Sequence, residues 1–476
     1  MKRPALVAID LGAQSCRVSL LRWAPESDLP AIVIVHRFPN APWDQGAAGI
    51  RWNLDHICRE LESGLRSCAD RAPEGIASIG VTGWGVDYLR LDSHGQPLAA
   101  PFCYRDPRNG PAMDAVHTIV PAAELYSRTG VQIQTINTVY QLYADKLAGT
   151  PSALWVMLPE SILHWLGAPR VAEYTNATHT ALLDPETRSW SADLFAALGL
   201  DLSAAPPLVP TGTALGPVRA DLRRLPAFAG TQVIAAACHD TASAIAGIPY
   251  PRGNWAYISS GTWSLVGTVL PSAVRTPNAF AANFTNLGAA GGGVLFHRGL
   301  PGMWLLRQCL NHWEGERTWT VRELIAAAQQ LSVPRDVLDL DDPAFLAPGD
   351  MPSRINAQRI QRGLEPLPDG SSAAPQYANL IFHSLAASYQ SLIGSLGDLT
   401  GRRIRRICVV GGGSRNEYLN ALTQERTGLP VERCSAESST AGNFAVQWAR
   451  LDQEANLISV ADIAERARSL ARAGAD

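Results

Sequence analysis

Two short stretches, "VAIDLGAQSCRVSLL" (residues 7–21) and "NWAYISSGTWSLVGTVL" (residues 254–270), are built to one plan. In each, an apolar run enters a turn of glycine and hydroxyl residues and a second apolar run leaves it, the pattern of a strand–turn–strand hairpin. The two lie about 250 residues apart, so each opens one half of the 476-residue chain. Repetition on that scale predicts two related domains, each begun by a buried hairpin. The length agrees, because single cores stop growing near ~250–300 residues.

The surrounding segments alternate between strand and helix signals, which makes the class α/β. "WNLDHICRELESGLRSC" (52–68) has apolar residues at Leu54, Ile57, Leu61 and Leu65, the spacing of a helix face. "IASIGVTGWGVDYLRLD" (76–92) reads as a buried strand, a glycine break and a second strand. Pro206, Pro207, Pro210 and Pro217 predict loop between 200 and 230. "TQVIAAACHDTASAIAG" (231–247) reads as a strand, a polar corner and a small-residue helix, and "GIPYPRG" (247–253) as the domain boundary. That divides the chain into 1–247 and 248–476. In the second half, "RRICVVGGGSRNEYLNALTQERTG" (405–428) reads as a strand, a triple-glycine turn and a helix capped by Ser414.

Bulk chemistry excludes several classes. Lys and Arg number 40 and Asp and Glu 43, without the basic excess that a nucleic-acid footprint requires. The eight cysteines are scattered with no C-x-x-C pair, which fits reduced thiols better than a disulfide framework or zinc site. No apolar run approaches the length of a membrane span, and no secretory leader is read in "MKRPALVAID", so a cytoplasmic protein is expected. Neither G-x-x-x-x-G-K-[ST] nor G-x-G-x-x-G occurs, so Walker-type and dinucleotide loops are excluded.

The turns carry the chemistry. In the first, Gly12 permits close backbone approach, Ser15 and the exposed amides can donate to phosphate oxygens, Arg17 can neutralise their charge, and Asp10 can hold Mg²⁺ through water. An ordinary Asp/Gly turn would use the same residues. The second turn, "SSGTW" (259–263), repeats the pattern, and "VVGGG" (409–413) offers flat backbone to a base or sugar. Asp240 in "CHDTASA" stands where a strand passes into a helix, as a helix N-cap, a general base, or both. Asp87 ends a similar corner in "GWGVDY", and His239 is either a hydrogen-bonding ligand group or a packed core histidine.

With these pieces in place, the chain resembles the FGGY carbohydrate kinases. The likeness rests on "DLGAQSCR" (10–17), "GWGVDY" (83–88), "YRDPR" (104–108), "EYTNATHTALL" (173–183), "HDTASA" (239–244), "YISSGTWSLVG" (257–267), "AANFTN" (281–286), "IFHSLAASY" (381–389), "VVGGGSRN" (409–416) and "AGN" (441–443). Within the family the nearest pattern is that of members acting on L-rhamnulose. The resemblance implies a two-domain actin-like (ribonuclease-H-like) fold with an interdomain cleft, sugar on the N-terminal side and nucleotide on the C-terminal side. It implies ATP, Mg²⁺ and a ketose phosphorylated at O1, L-rhamnulose first, with no nucleic-acid or membrane partner. It makes Asp240 the proton acceptor and puts Gly85, Asp87, His239, Asp240 and Thr241 at the sugar. Ala13, Gln14, Ser15, Cys16, Arg17, Gly261, Thr262, Arg307 and Gly412 fall on the nucleotide, and Asp10 and Asp240 on the metal.

This chain departs from the pattern at five positions. Gln14 and Cys16 replace small residues and are expected to crowd the phosphate turn. Leu287 replaces a Glu, Gly299 stands for a sugar-binding Asn, and Arg307 for an ATP-contacting Gln. The alternatives are kinases of L-fuculose, L-ribulose, xylulose or a polyol, and, from another class, an actin-like ATPase.

Overall fold

The computed structural model describes residues 3–23, 29–250, 253–453 and 457–473. Pro251 and Arg252, part of the expected boundary segment, lie outside the described residues. Contacts divide the chain into two compact units: Met1–Gly253 with Val269–Phe296 and Glu437–Asp476, and Asn254–Thr268 with His297–Ala436.

The first unit is built on β1 (Ala5–Leu11), β2 (Ser15–Trp23), β3 (Pro30–Pro39), α1 (Leu54–Arg71), β4 (Ile76–Gly83), β5 (Thr213–Pro217), β6 (Gln232–Ala235) and α2 (Asp240–Ala246). Its sheet runs β5-β6-β4-β1-β2-β3. β1 is antiparallel to β2 and parallel to β4, and all seven of its residues are buried. That explains its unbroken apolar run, since a central strand covered on both faces has no solvent side to alternate with. α1 begins at Asn53, whose side chain accepts the His56 amide, and turns Ile57, Leu61 and Leu65 inward.

The proline-rich stretch is not all loop. Thr213–Pro217 forms the edge strand β5, antiparallel to β6, with a register shift next to Gly216 at φ +105°. An edge strand tolerates proline because one side of its ladder needs no partner. The second strand of the "GVDYLRLD" segment, Tyr88–Leu91, leaves this sheet and pairs with Leu154–Met157.

The second unit repeats the plan with β7 (Trp255–Ser260), β8 (Trp263–Leu270), β9 (Val294–Pro301), α3 (Trp304–His312), α4 (Ala374–Thr400), β10 (Arg406–Val410), α5 (Glu417–Thr427) and β11 (Val431–Arg433). These strands are ordered β9-β8-β7-β10-β11. β7 is antiparallel to β8 and parallel to β10, as β1 is to β2 and β4. The cap of α5 is Asn416, whose side chain accepts the Leu419 amide; Ser414, expected in that role, is buried in the short turn Gly412–Arg415.

The last long helix, α6 (Ser438–Leu451), returns to the first unit. Its Gln447 donates to the Val7 carbonyl at 2.9 Å and accepts from Ser78 Oγ at 2.6 Å. Among the described residues no helix is long and apolar enough to cross a membrane. None of the eight cysteines is in a disulfide.

Candidate active site

Because β1, β4 and β6 are parallel, their C-terminal ends lie on one edge of the sheet, the edge where α/β proteins collect ligands. Three corners leave that edge and are tied together. The Trp84 amide donates to the Leu11 carbonyl at 3.2 Å, and the Gly83 amide donates to the Cys238 carbonyl at 2.9 Å.

The β1–β2 turn departs from expectation in three ways. Gly12 serves the turn itself, since a Cβ there would lie 2.4 Å from the Ser15 carbonyl oxygen. Cys16 points inward: it is 0 % exposed, its thiol donates to the Gly12 carbonyl, and burial pushes its pKa up to about 12. It therefore does not crowd the turn and offers a ligand only backbone, while Gln14 is exposed. The Arg17 guanidinium is engaged within the chain rather than standing open. It donates to Asp10 Oδ2 at 2.6 Å, pairs with Glu437 Oε2 at 2.9 Å and donates to Ser439 Oγ at 3.1 Å. The reason is register: Asp10 and Arg17 are opposite one another in the β1–β2 ladder.

At the β4 corner, Gly85 is buried and a Cβ on it would lie 2.2 Å from His179 Nδ1. Val86 sits at φ +71°, a strained conformation for a β-branched residue, held because its carbonyl accepts from Thr138 Oγ1 and Gln141 Nε2. Asp87 is 0 % exposed. Its Oδ2 accepts from the indoles of Trp52 (2.6 Å) and Trp84 (2.9 Å), and its Oδ1 accepts from Gln141 (3.2 Å). Burial nevertheless raises its pKa to about 7. Asp87 orients the two indoles, whose ring centroids are 4.4 Å apart.

At the β6 corner the N-cap position of α2 belongs to His239, and Asp240 is the first helical residue. Asp240 Oδ1 accepts from the Thr241 amide at 2.5 Å and the Thr241 hydroxyl at 3.2 Å. His239 Nε2 lies 3.4 Å from that oxygen. Asp240 Oδ2 has no partner among the described residues. The side chain is 40 % exposed, yet loss of surrounding water, and then the negative charge of Asp10, push its pKa up to about 7. Asp10 likewise directs its hydrogen bonds through Oδ2, leaving Oδ1 without a partner among the described residues.

In the second unit, the carbonyls of Gly261 and Thr262 accept the amides of Gly302, Met303 and Trp304, so the β7–β8 turn anchors the start of α3. The Thr262 hydroxyl is not used in this anchoring. A Cβ on Gly413 would lie 2.0 Å from Ser260 Oγ and one on Gly411 2.9 Å from the Ser260 carbonyl, so both glycines are required by close packing. Gly412 is exposed, with open space where a Cβ would project. Gly299 lies in β9, where a Cβ would meet Leu265 at 3.1 Å. Its neighbours are engaged: His297 is bonded to the Tyr257 hydroxyl at 2.9 Å and Arg298 to Asp341 at 2.5 Å. Arg307 is exposed on α3, and Leu287 is 1 % exposed in an apolar cluster of the first unit.

Comparison with known proteins resolves what these corners belong to. Residues 5–247 match the N-terminal domain, and residues 256–449 the C-terminal domain, of the FGGY family of carbohydrate kinases. The chain belongs to this family. It is a carbohydrate kinase, a phosphotransferase that uses ATP. It is 33 % identical to a rhamnulokinase of Bacteroides thetaiotaomicron over 446 residues, 92 % of this chain and 89 % of that one. To a rhamnulokinase of Pectobacterium carotovorum it is 34 % identical over 458 residues, 95 % and 89 % of the two chains. Its fold is similar to the xylulose kinase of Rhodospirillum rubrum, with a TM-score of 0.76 at 18 % identity over 97 % of this chain and 92 % of that one. It is also similar to the glycerol kinase of Plasmodium falciparum, with a TM-score of 0.73 at 14 % identity over 95 % and 90 %. The architecture is thus the two-domain, actin-like α/β fold.

The carbohydrate kinase places further residues at these corners that the motifs left without a role. His179 stacks on His239, ring centroids 4.5 Å apart, and its Nδ1 is buried without a partner among the described residues. Burial, then the neighbouring His239, holds His179 well below the usual histidine range, so it stays neutral. The only sequence signal for it was its presence in "EYTNATHTALL". Glu437, Ser439 and Thr440 complete the Asp10–Arg17 cluster from some 420 residues away, and nothing local in the sequence announced that. We expect Gly85→Ala to raise the sugar KM at least about tenfold with little change in the KM for ATP, because the new methyl displaces His179. Steady-state kinetics with each substrate varied in turn checks it.

Proposed function

We propose that this kinase phosphorylates L-rhamnulose at O1, giving L-rhamnulose 1-phosphate and ADP. The observation that carries the reading is the β6 corner, where Asp240 keeps one oxygen unpartnered and is lifted to about 7, beside Gly85 and the His179–His239 stack. The curated relatives named rhamnulokinase support the choice of sugar.

In this reading Gly85, His239 and Thr241 bind the sugar, and Asp87 serves them by fixing the indoles of Trp52 and Trp84. Asp240 Oδ2 takes the O1 proton as the O1–phosphorus bond forms and the bond from the γ-phosphorus to the β,γ-bridging oxygen breaks. A base near pKa 7 suits that task at neutral pH. The amides of residues 13–17 and the hydroxyls of Ser15 and Thr262 hold phosphate oxygens; Gly261, Arg307 and Gly412 also face the nucleotide. Arg17 acts through Asp10, fixing the direction of its free oxygen. Residues 1–247 then hold the sugar and residues 248–476 supply the other nucleotide contacts, in a cytoplasmic enzyme.

Asp10 and Asp240 fit Mg²⁺, since each keeps one oxygen available, and Asp10 is near enough to raise the pKa of Asp240. No group of three or more His, Cys, Asp or Glu able to hold a metal occurs among the described residues. Two carboxylates acting through water, with phosphate as the remaining ligand, is the usual Mg²⁺ arrangement. When bound, the ion neutralises charge on the transferring phosphoryl group.

ATP turnover measured against a panel of sugars tests the assignment. The expected result is a higher kcat/KM for L-rhamnulose than for L-fuculose, L-ribulose, xylulose or polyols. A preference for one of the others overturns the sugar and keeps the kinase; Gly299 and Leu287, which depart from the family pattern, favour that second reading. ATP hydrolysis that no sugar stimulates would point to an ATPase. Thr262→Val is expected to raise the KM for ATP about tenfold, the worth of one hydrogen bond to a charged oxygen, and to leave the sugar KM unchanged. Titration of each substrate separately decides it.

A further inference from the structure

The "EYTNAT" segment contacts neither open oxygen of the site, yet it is wholly buried against the β6 corner. Glu173 is 0 % exposed, and four donors converge on its carboxylate. Oε2 accepts from the Cys238 amide at 3.0 Å, the Thr175 amide at 3.1 Å and the Thr175 hydroxyl; Oε1 accepts from the Thr211 hydroxyl. Thr175 Oγ1 in turn accepts from the His239 amide at 3.2 Å. The two amides immediately before Asp240 are thus held by one carboxylate, one directly and one through a single hydroxyl. On the other side of Glu173, its own amide and the Asn176 side chain donate to Glu160, at 3.1 and 2.8 Å.

An ionised carboxylate accepts from all four donors at once and so satisfies the set without a further partner. Burial lifts both carboxyls, Glu160 to about 8, while the donors from Thr175, Thr211 and Cys238 oppose the rise at Glu173. A buried carboxylate that accepts four hydrogen bonds holds the backbone it grips.

We propose that Glu173 and Thr175 are positioning residues for phosphoryl transfer, clamping the Cys238–His239 backbone so that the Asp240 carboxylate is held in line with the sugar hydroxyl. This rests on the assignment of Asp240 as the base. The clamp makes no contact with either substrate in this reading; it acts through the geometry of one carboxylate. Displacement of a catalytic group by about 1 Å can cost 10²-fold in rate.

The test is a set of purified variants assayed for kcat, both KM values and melting temperature: Thr175→Val, Thr175→Ser, Glu173→Gln, Asp240→Asn and the double variant Thr175→Val/Asp240→Asn. Thr175→Val is expected to lower kcat roughly 10–10²-fold with the KM for ATP unchanged. Thr175→Ser, which keeps the hydroxyl, restores most of the rate. The double variant is expected to be no slower than Asp240→Asn alone, because a clamp that works through Asp240 has nothing left to position. Glu173→Gln should lose less than Thr175→Val, because its oxygen can keep the Cys238 and Thr175 amides while its nitrogen donates to the Thr211 hydroxyl; if it fails to fold, the Thr175 series carries the test. A lower melting temperature with unchanged kcat per folded enzyme, or losses that multiply in the double variant, would overturn the clamp and leave the base assignment intact. A near-wild-type rate for Asp240→Asn would overturn the base assignment, and the clamp with it.

Discussion

Asp240→Asn is expected to lower kcat about 10²–10⁴-fold, the usual cost of losing a general base, while the protein stays folded. The carboxamide keeps the shape, and its oxygen can still accept the Thr241 amide, as Asp240 Oδ1 does at 2.5 Å. It cannot take a proton. It also removes a negative charge that Asp10 opposes, so the melting temperature should be unchanged or slightly higher. The wild-type pH profile supplies a second check. A base raised to about 7 is progressively protonated as the pH falls through that value, so kcat/KM should decline on the acid side of neutrality. The residual rate of the Asn variant should lack that limb. Scanning calorimetry with a coupled ADP assay measures both quantities, and near-wild-type kcat would show that another group takes the proton.

Gly442→Ala is expected to be the most damaging single-methyl change in the first unit. A Cβ at this position in α6 would lie 1.7 Å from the Ser243 carbonyl oxygen and 2.9 Å from the Gly247 amide, both backbone atoms of the α2 region. A Cβ on Gly247 would meet α6 in the same way, 2.8 Å from the Ser438 carbonyl oxygen. A flexible side chain could swing aside, but helix backbone cannot, so α2 and α6 must separate. Overpacking costs about 1–3 kcal/mol where side chains yield, and the upper end or beyond is expected here. The first residue of α2 is Asp240, and Ser439 and Thr440 of α6 bond to Asp10, so kcat should fall along with the melting temperature. Gly394→Ala is the control. Gly394 lies within α4, exposed, with no atom near the added methyl. There alanine should stabilise by about 0.5–1 kcal/mol, because glycine is the poorer helix former. Parallel thermal melts compare the two, and equal effects would mean that α2 and α6 are not packed backbone to backbone.

Much of the fold was legible locally. The hairpins at 7–21 and 254–270, the helix after Asn53 and the strand–glycine–helix run at 405–428 are set by apolar period and turn residues, both properties of near neighbours in the chain. The corner at Asp240 was legible for the same reason, as the point where a strand pattern gives way to a helix pattern. Partners were not. Nothing near Arg17 in the chain showed that ladder register sets it on Asp10 and that Glu437 reaches it from the far end of the chain. Asp87 could be placed at a corner, but not assigned the two indoles and the amide that engage both its oxygens. Cys16 looked like an obstruction until strand alternation turned it into the core. The sequence by itself determined the α/β class, the duplicated hairpins and the positions of the corners, because each follows from the spacing of residues adjacent in the chain. Only the tertiary structure decided which way those corner side chains face and what they hold, because register and packing bring together residues that the sequence keeps far apart.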